Sequence, residues 1–321
     1  METELQDIVP NICSGKDRIS NSGEVALYGS TGVIGRTNSA SYKENIVLVA
    51  RVGANAGQMQ IGNAPCGVTD NTLVIDAKEW NYYIYYFLQH YNLNRLVFGS
   101  GQPLITGGML KRIKVRYGCK AERNNITRLL CLIDERIATQ NKIIEKLESL
   151  IKGIADKLFQ TARETKLLLE LAPNITSGTD KNGSGTIPLY GSTGIIGKVK
   201  NASQKGNIVL VARVGTIGTV QYVKEPCGVS DNALIVEAGE MTKYIYHFLK
   251  TYKFAHITSG TTQPLITASS LKKIAVPTYD IERQTQIVLC LNILERKLDI
   301  EKQYLSDIAM MKQYLLHQMF I

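Results

Sequence analysis

Two glycine-rich turns carry the first residues whose spacing suggests chemistry. LYGSTGVIG at Leu27–Gly35 and LYGSTGIIG at Leu189–Gly197 have the glycine spacing of a dinucleotide-binding turn, with VALY ahead of Gly29 in place of the leading strand. Such a site needs a helix to follow, because the helix N-terminus holds the pyrophosphate. Here RTNSASYKEN and KVKNASQKGN follow, without helical periodicity. The dinucleotide reading is therefore set aside. Two readings remain: a tight turn that needs positive φ at its glycines, or a turn that presents Ser30, Thr31 and Arg36 to a phosphate. Ser192, Thr193 and Lys198 are the second copy of that group.

Arg51 and Arg213 end long apolar runs and are followed by glycines that let another backbone approach. An arginine there either pairs a carboxylate, such as Asp70 or Asp231, or contacts phosphate or a guanine edge. GSGQ ending at Gln102 and GTTQ ending at Gln263 place an amide after a loop, suited to adenine or to a helix N-cap. His90, His247, His256 and His317 lie far apart without a carboxylate or cysteine at ligand spacing, so no metal is assigned. The six cysteines contain no CxxC pair, which excludes a zinc ribbon or a disulfide framework and suits a reducing cytoplasm. The sequence shows no nucleophile elbow, no P-loop and no paired acids with a following lysine. Nor does it contain an Asn/Asp-Pro-Pro-Tyr run for holding a flipped base. The expectation is a binding protein and not an enzyme.

The elements behind these residues occur twice. NIVLVARVG recurs at Asn45–Gly53 and Asn207–Gly215, PCGVTDN (Pro65–Asn71) as PCGVSDN (Pro226–Asn232), and YIYYFL (Tyr83–Leu88) as YIYHFL (Tyr244–Leu249). QPLIT at Gln102–Thr106 matches Gln263–Thr267, and LKRIKV (Leu110–Val115) matches LKKIAV (Leu271–Val276). A period this long is one domain used twice, not a solenoid. Within each copy NIVLVARV reads as a buried strand. LVI around Val74 and LIV around Ile235 read as another. Trp80–Tyr91 and Met241–Tyr252 read as aromatic helices whose rings belong to the core, with Tyr83, Phe87 and Tyr91 on one face.

Each copy ends in a long heptad-patterned segment. Leu130, Ile137, Ile144 and Ile151 recur every seven residues in the first, with Gln140 at a second seam position. Leu291, Leu298 and Leu305, with Ile308 on the partner seam, do so in the second, where Glu301 is the counterpart of Gln140. A helix of ~35–40 residues is ~50–60 Å long. The fold expected is α+β: two similar globular domains separated by two long helices forming an antiparallel coiled coil, related by a pseudo-twofold axis. The domain limits are 1–120 for the first globular domain, 121–162 for the first long helix, 163–280 for the second globular domain and 281–321 for the second helix.

At 321 residues, 44% hydrophobic and 20% charged, the chain has the material for two real cores. No run of ~18 apolar residues offers a membrane span, and METELQDIVPNICSG has no secretory pattern, so a cytoplasmic location is expected. The net charge of +9 is unevenly placed. Residues 1–120 carry 12 basic and 9 acidic groups, and 163–280 carry 13 and 8; the helical segments carry 7 against 6 and 5 against 5. Basic heads on a neutral rod fit duplex DNA, which presents equivalent groove faces every ~34–36 Å.

The order head, long helix, head, long helix, with repeated YGSTGxIG, VARVG and QPLI elements, resembles the specificity (S) subunit of type I restriction–modification systems. The passage LKKIAVPTYDIERQTQIVLCLNILERKLD (Leu271–Asp299) is similar to that family's exit from its second head. The first head departs from it, leaving through RYGCKAERNNIT without the Pro and Gln. The resemblance covers essentially the whole chain. It implies two target-recognition domains, each reading one half of a bipartite double-stranded DNA site, and helices that set the spacing and dock two methyltransferase subunits. S-adenosylmethionine, ATP and Mg would then reside on the methyltransferase and restriction subunits, with no cofactor on this chain. The alternative is a non-catalytic coiled-coil adaptor whose duplicated heads bind protein or glycan.

Where the halves agree, shared scaffold or partner contacts are expected; where they diverge, they can read different half-sites. The divergent stretches are Ser14–Val25 against Ser177–Ile187, Arg36–Lys43 against Lys198–Lys205, Ala54–Ala64 against Thr216–Glu225, and Asn92–Gly101 against Lys253–Thr262. Base-reading candidates there are Asn38, Asn55, Gln58, Lys200, Asn201 and Lys253.

Overall fold

The run Ile46–Ala50 becomes the central strand of the first head because its β-branched residues favour extended backbone and all five can be buried. The computed structural model describes residues 1–96, 103–259 and 264–320. The first head contributes β1 (Glu2–Glu4), β2 (Ile12–Ser14), β3 (Val25–Gly29), β4 (Gly32–Thr37), β5 (Ile46–Ala50), β6 (Met59–Gly62), β7 (Cys66–Val68), β8 (Thr72–Ile75) and β9 (Lys114–Arg116). A four-stranded sheet has the order β2-β8-β5-β6, and a three-stranded sheet β4-β3-β7 includes the parallel pair β3 and β7. The pair β1 and β9 is antiparallel. Alternate residues of β5 face different cores. Val47 and Val49 join Leu73, Ile75, Ile84 and Leu88 in one; Ile46 and Leu48 join Tyr28, Val68 and Val74 in the other. Burial on both faces is why this strand is apolar throughout.

The second head repeats the plan with β10 (Glu164–Leu167), β11 (Asn174–Ser177), β12 (Ile187–Gly191), β13 (Gly194–Val199), β14 (Ile208–Ala212), β15 (Val220–Val223), β16 (Gly228–Val229), β17 (Ala233–Glu237) and β18 (Ala275–Thr278). Its sheets are β11-β17-β14-β15, β13-β12-β16 and β10-β18. The aromatic helices run Asn81–Tyr91 and Thr242–Thr251, each entered through a 3-10 turn, Lys78–Trp80 or Gly239–Met241. Tyr83, Ile84, Phe87 and Leu88 are buried, as are Tyr244, Ile245, Phe248 and Leu249. Tyr91 is only half-buried and stacks on Phe87 at 6.4 Å.

The long helices run Lys120–Gln160 and Ile281–Met319. Leu130, Ile144, Leu291 and Ile308 are buried, and Ile137, Ile151, Leu298 and Leu305 are half-buried. Gln140 is buried as well. Contacts divide the chain into two units that do not break at the head–helix junctions. Unit 1 is Met1–Asn141 with Gln303–Ile321, and unit 2 is Lys142–Lys302. Each unit thus holds one head and a length of both long helices. Within unit 1 the helix segments run in opposite directions: Asp134 pairs Lys312 at 2.6 Å, and Arg136 lies over Tyr304. Within unit 2 Glu148 pairs Lys302 at 2.6 Å, and Ala155 and Phe159 share a core with Leu291 and Ile287. Unit 1 takes Phe320 from the end of the second long helix, its ring edge-on to Tyr83 and Phe87 at 5.3 and 5.9 Å. Unit 2 takes Phe159 from the end of the first, edge-on to Tyr244 and Phe248 at 5.5 Å each.

Candidate nucleic-acid interface

The glycine turns are the tips of β-hairpins, not phosphate loops ahead of a helix. Gly29 pairs with Gly32 and Gly191 with Gly194, leaving Ser30–Thr31 and Ser192–Thr193 as two-residue tips. Gly32 and Gly194 both have φ +126°, a conformation that side chains disfavour. Each tip is tied down from β6 or β15. Gln60 Nε2 donates to Gly29 O at 2.7 Å, and Gln221 Nε2 donates to Gly191 O at 2.9 Å. These glutamines went unnoticed in the sequence, although only they and Gly57/Gly218 recur within the divergent stretch Ala54–Ala64 against Thr216–Glu225.

The strand-end arginines lie beside these tips. Arg51 N donates to Asn71 O at 2.9 Å, and Ser30 Oγ donates to that same carbonyl at 3.2 Å. In the second head Arg213 N donates to Asn232 O at 3.0 Å, and Thr216 Oγ1 donates to Ser192 O at 3.4 Å. Ile105 N and Ile266 N close the other side by donating to Arg51 O and Arg213 O at 2.9 and 3.0 Å. Backbone at both arginines is therefore held on two sides. The expected pairing with Asp70 or Asp231 is not among the ion pairs of the described residues. Both guanidinium groups lack a partner among those residues, and Arg213 Nε is buried without one. Asn55 and Gln58 stand on the loop leaving Arg51, where Gln58 N donates to Asn55 O at 2.9 Å. Asn55 is half-buried and Gln58 exposed.

The other candidates lie apart from this edge. Arg36 stands four residues beyond Gly32 in β4, about 13 Å at strand rise, and donates from Nη1 to Glu24 O at 2.7 Å. Asn38 Oδ1 accepts from Ser20 Oγ at 2.8 Å. Lys198, Lys200 and Asn201 are exposed at the far end of β13, and Lys253 is exposed ahead of the turn Phe254–Ile257. Gln102 and Gln263 lie outside the described residues.

Part of the stretch read as divergent is shared scaffold. Asp17 accepts from Val68 N at 2.8 Å and from Ser41 Oγ at 2.6 Å. Asp180 accepts from Val229 N at 2.7 Å and from Ser203 Oγ. Gly15 and Gly178 permit this approach, since a Cβ would fall 2.1 Å from Val68 O or 2.2 Å from Val229 O. The signal was SGKD against SGTD, an identity of three residues in four. Burial first, then the charge of Asp17 or Asp180, pushes the Cys66 and Cys227 thiols up to about 11, so neither is a thiolate nucleophile at neutral pH. Among the described residues no group of His, Cys, Asp and Glu is arranged to hold a metal ion, and no helix is long and apolar enough to cross a membrane.

Residues 4–149 and 168–310 each match the family described as type I restriction modification DNA specificity domain. A type I specificity subunit of Mycoplasma genitalium is 23% identical over 344 residues, covering 95% of this chain and 88% of that protein. The MjaVIII specificity subunit of Methanocaldococcus jannaschii is 30% identical over 122 residues, 36% of this chain and 28% of that one. Among solved structures, the type I restriction–modification S subunit from M. genitalium superposes with a TM-score of 0.73 at 19% identity, covering 100% of this chain and 96% of that one. A chain from a structure of type I R-M complex assembly and conformational transition gives 0.60 at 13% identity, covering 100% and 97%. Two family domains, each taking in one head and much of the long helix after it, together span most of the sequence, and the protein belongs to the type I restriction–modification DNA specificity family.

Proposed function

We infer that this chain is the DNA-recognition subunit of a type I restriction–modification complex, each head binding one half of a bipartite duplex target. One observation carries the reading. Each head sets an arginine, without a side-chain partner among the described residues, and a serine–threonine tip, identical in both, against a loop that differs between them: Ala54–Ala64 in one and Thr216–Glu225 in the other. Identical parts suit features common to all DNA, and differing loops suit two different half-sites.

On this reading the long helices set the interval between half-sites and dock two methyltransferase subunits. They carry apolar residues outside the seam that support such docking. Leu129, Ile143 and Leu150 on the first helix, and Ile293, Ile300 and Tyr314 on the second, are exposed and separated by multiples of seven. S-adenosylmethionine and adenine methylation belong to those partners, and ATP and Mg to a restriction subunit that joins them. The setting is the cytoplasm, where the target DNA lies.

The test is co-expression with a cognate methyltransferase subunit followed by methylome sequencing. A split motif with an unread interval is expected, and DNA affinity that falls steeply with salt. Replacing Ala54–Ala64 by Thr216–Glu225 should change one half of the motif. A change in both halves or in neither, or heads that bind protein or glycan with no salt-dependent affinity for duplex, would refute the reading.

A further inference from the structure

We propose that Arg51 and Arg213 are equivalent phosphate anchors, each seating one backbone phosphate at the same place in both half-sites without reading sequence. The inference rests on the DNA-recognition reading above and deepens it. Four observations converge on it. The arginine, the tip Ser30–Thr31 and the glycine two residues after the arginine recur unchanged in the second head. The backbone at each arginine is fixed by hydrogen bonds on both sides, so the root of the side chain is placed before any ligand arrives.

The guanidinium groups have no acid to neutralise them among the described residues, and the buried Nε of Arg213 has no acceptor. A buried charged donor without an acceptor is costly, and an arriving anion removes that cost. Gly53 and Gly215, at φ +79° and +72°, border uncrowded surface: among the described residues a Cβ at Gly53 would meet nothing within 4 Å, and one at Gly215 would come no nearer than 3.8 Å to Ser192 Oγ.

A phosphodiester fits this set of donors. Guanidinium is planar, permanently charged and matched to two phosphate oxygens at once, and the Thr31 and Thr193 hydroxyls add neutral donors, the Ser30 hydroxyl being committed to Asn71 O. A base edge fits less well. An arginine reading guanine would impose the same base on two heads whose adjoining loops differ, Asn55 and Gln58 in one against Thr216 and Thr219 in the other.

The test uses the complex assembled with its methyltransferase subunits. Variants R51A, R213A, the double variant, and the charge-retaining R51K and R213K are compared, with thermal melts confirming that each is folded. Each alanine variant should weaken binding on the order of tenfold, equally for target and non-target duplex, and lower the salt slope by about one. The methylated motif should stay unchanged, and the lysine variants should keep the slope while losing part of the affinity. A motif relaxed at one half-site would make the arginine a base reader and overturn the proposal. So would unchanged affinity and slope, or loss of the methyltransferase subunit with DNA binding intact, which would assign this edge to a protein partner. If the unaltered complex shows no salt-dependent duplex binding, the DNA reading itself fails, and that result is separate from any defect of the arginine variants.

Discussion

Truncation of Phe320 to alanine tests whether the end of the second long helix belongs to the core of the first head. Phe320 is only 4% exposed and meets Tyr83 and Phe87 edge-on at 5.3 and 5.9 Å. Burying a phenylalanine side chain contributes about 1.5–3 kcal/mol, and each ring pair adds roughly 0.5–1.5 kcal/mol. That range brackets the ~3–5 kcal/mol typical of buried Phe→Ala changes, which is the loss expected here. Urea unfolding followed by Trp80 fluorescence reads it directly. Trp80 is the sole tryptophan. It sits in unit 1 against Tyr83 and Tyr117 at 6.0 and 5.0 Å, with the Arg123 guanidinium 3.6 Å over its ring. F159A should cost unit 2 a similar amount, read by amide exchange in β14. A shift below about 1 kcal/mol in the Trp80 transition of F320A, the size of an ordinary surface change, would show that the helix end is frayed and that the first head closes without it.

Two further perturbations follow from the second head. His247 is buried against Asn292 and Glu295, with Nε2 3.0 Å from Asn292 Oδ1, and burial holds its pKa below the ordinary 6.5 despite the opposing pull of Glu295. The unfolded chain then takes up the proton first, so the stability present above about pH 6.5 is lost as pH falls through the lower folded value. Amide exchange in unit 2 should accelerate over that window and cease to do so in H247Q; an unchanged profile in H247Q would remove histidine as the cause. Asp180→Ala strands the buried amide of Val229 and removes the acceptor of Ser203. It should cost about 2–3 kcal/mol, with D17A doing the same to the first head, as measured by urea unfolding. A loss near zero in both would mean that water replaces the carboxylate.

The repeat was legible because identity at a distance is a property of the chain and needs no coordinates. The buried strands Ile46–Ala50 and Ile208–Ala212 were legible for a local reason, since a strand covered on both faces must be apolar at every position. The helical stripes were too: Leu130, Ile144, Leu291 and Ile308 are buried where seven-residue spacing put them. Boundaries between compact units were not legible, because packing joins each head to helix ends far away in sequence, as Phe320 shows.

The chain written as letters was enough to establish two copies of one domain, their buried strands and their long amphipathic helices. These follow from repetition and period, which are one-dimensional. Pairings between distant groups needed the folded molecule. Asp17 was free to serve any amide, and it serves Val68, 51 residues on. Arg51 had Asp70 nearby in sequence yet stands unpaired among the described residues, whereas Arg36, a phosphate candidate, gives one of its five donors to the carbonyl of Glu24. Hydrogen bonds reach about 3 Å and depend on direction, so which donor meets which acceptor is settled by how the strands and hairpins stack, and residue order does not contain that.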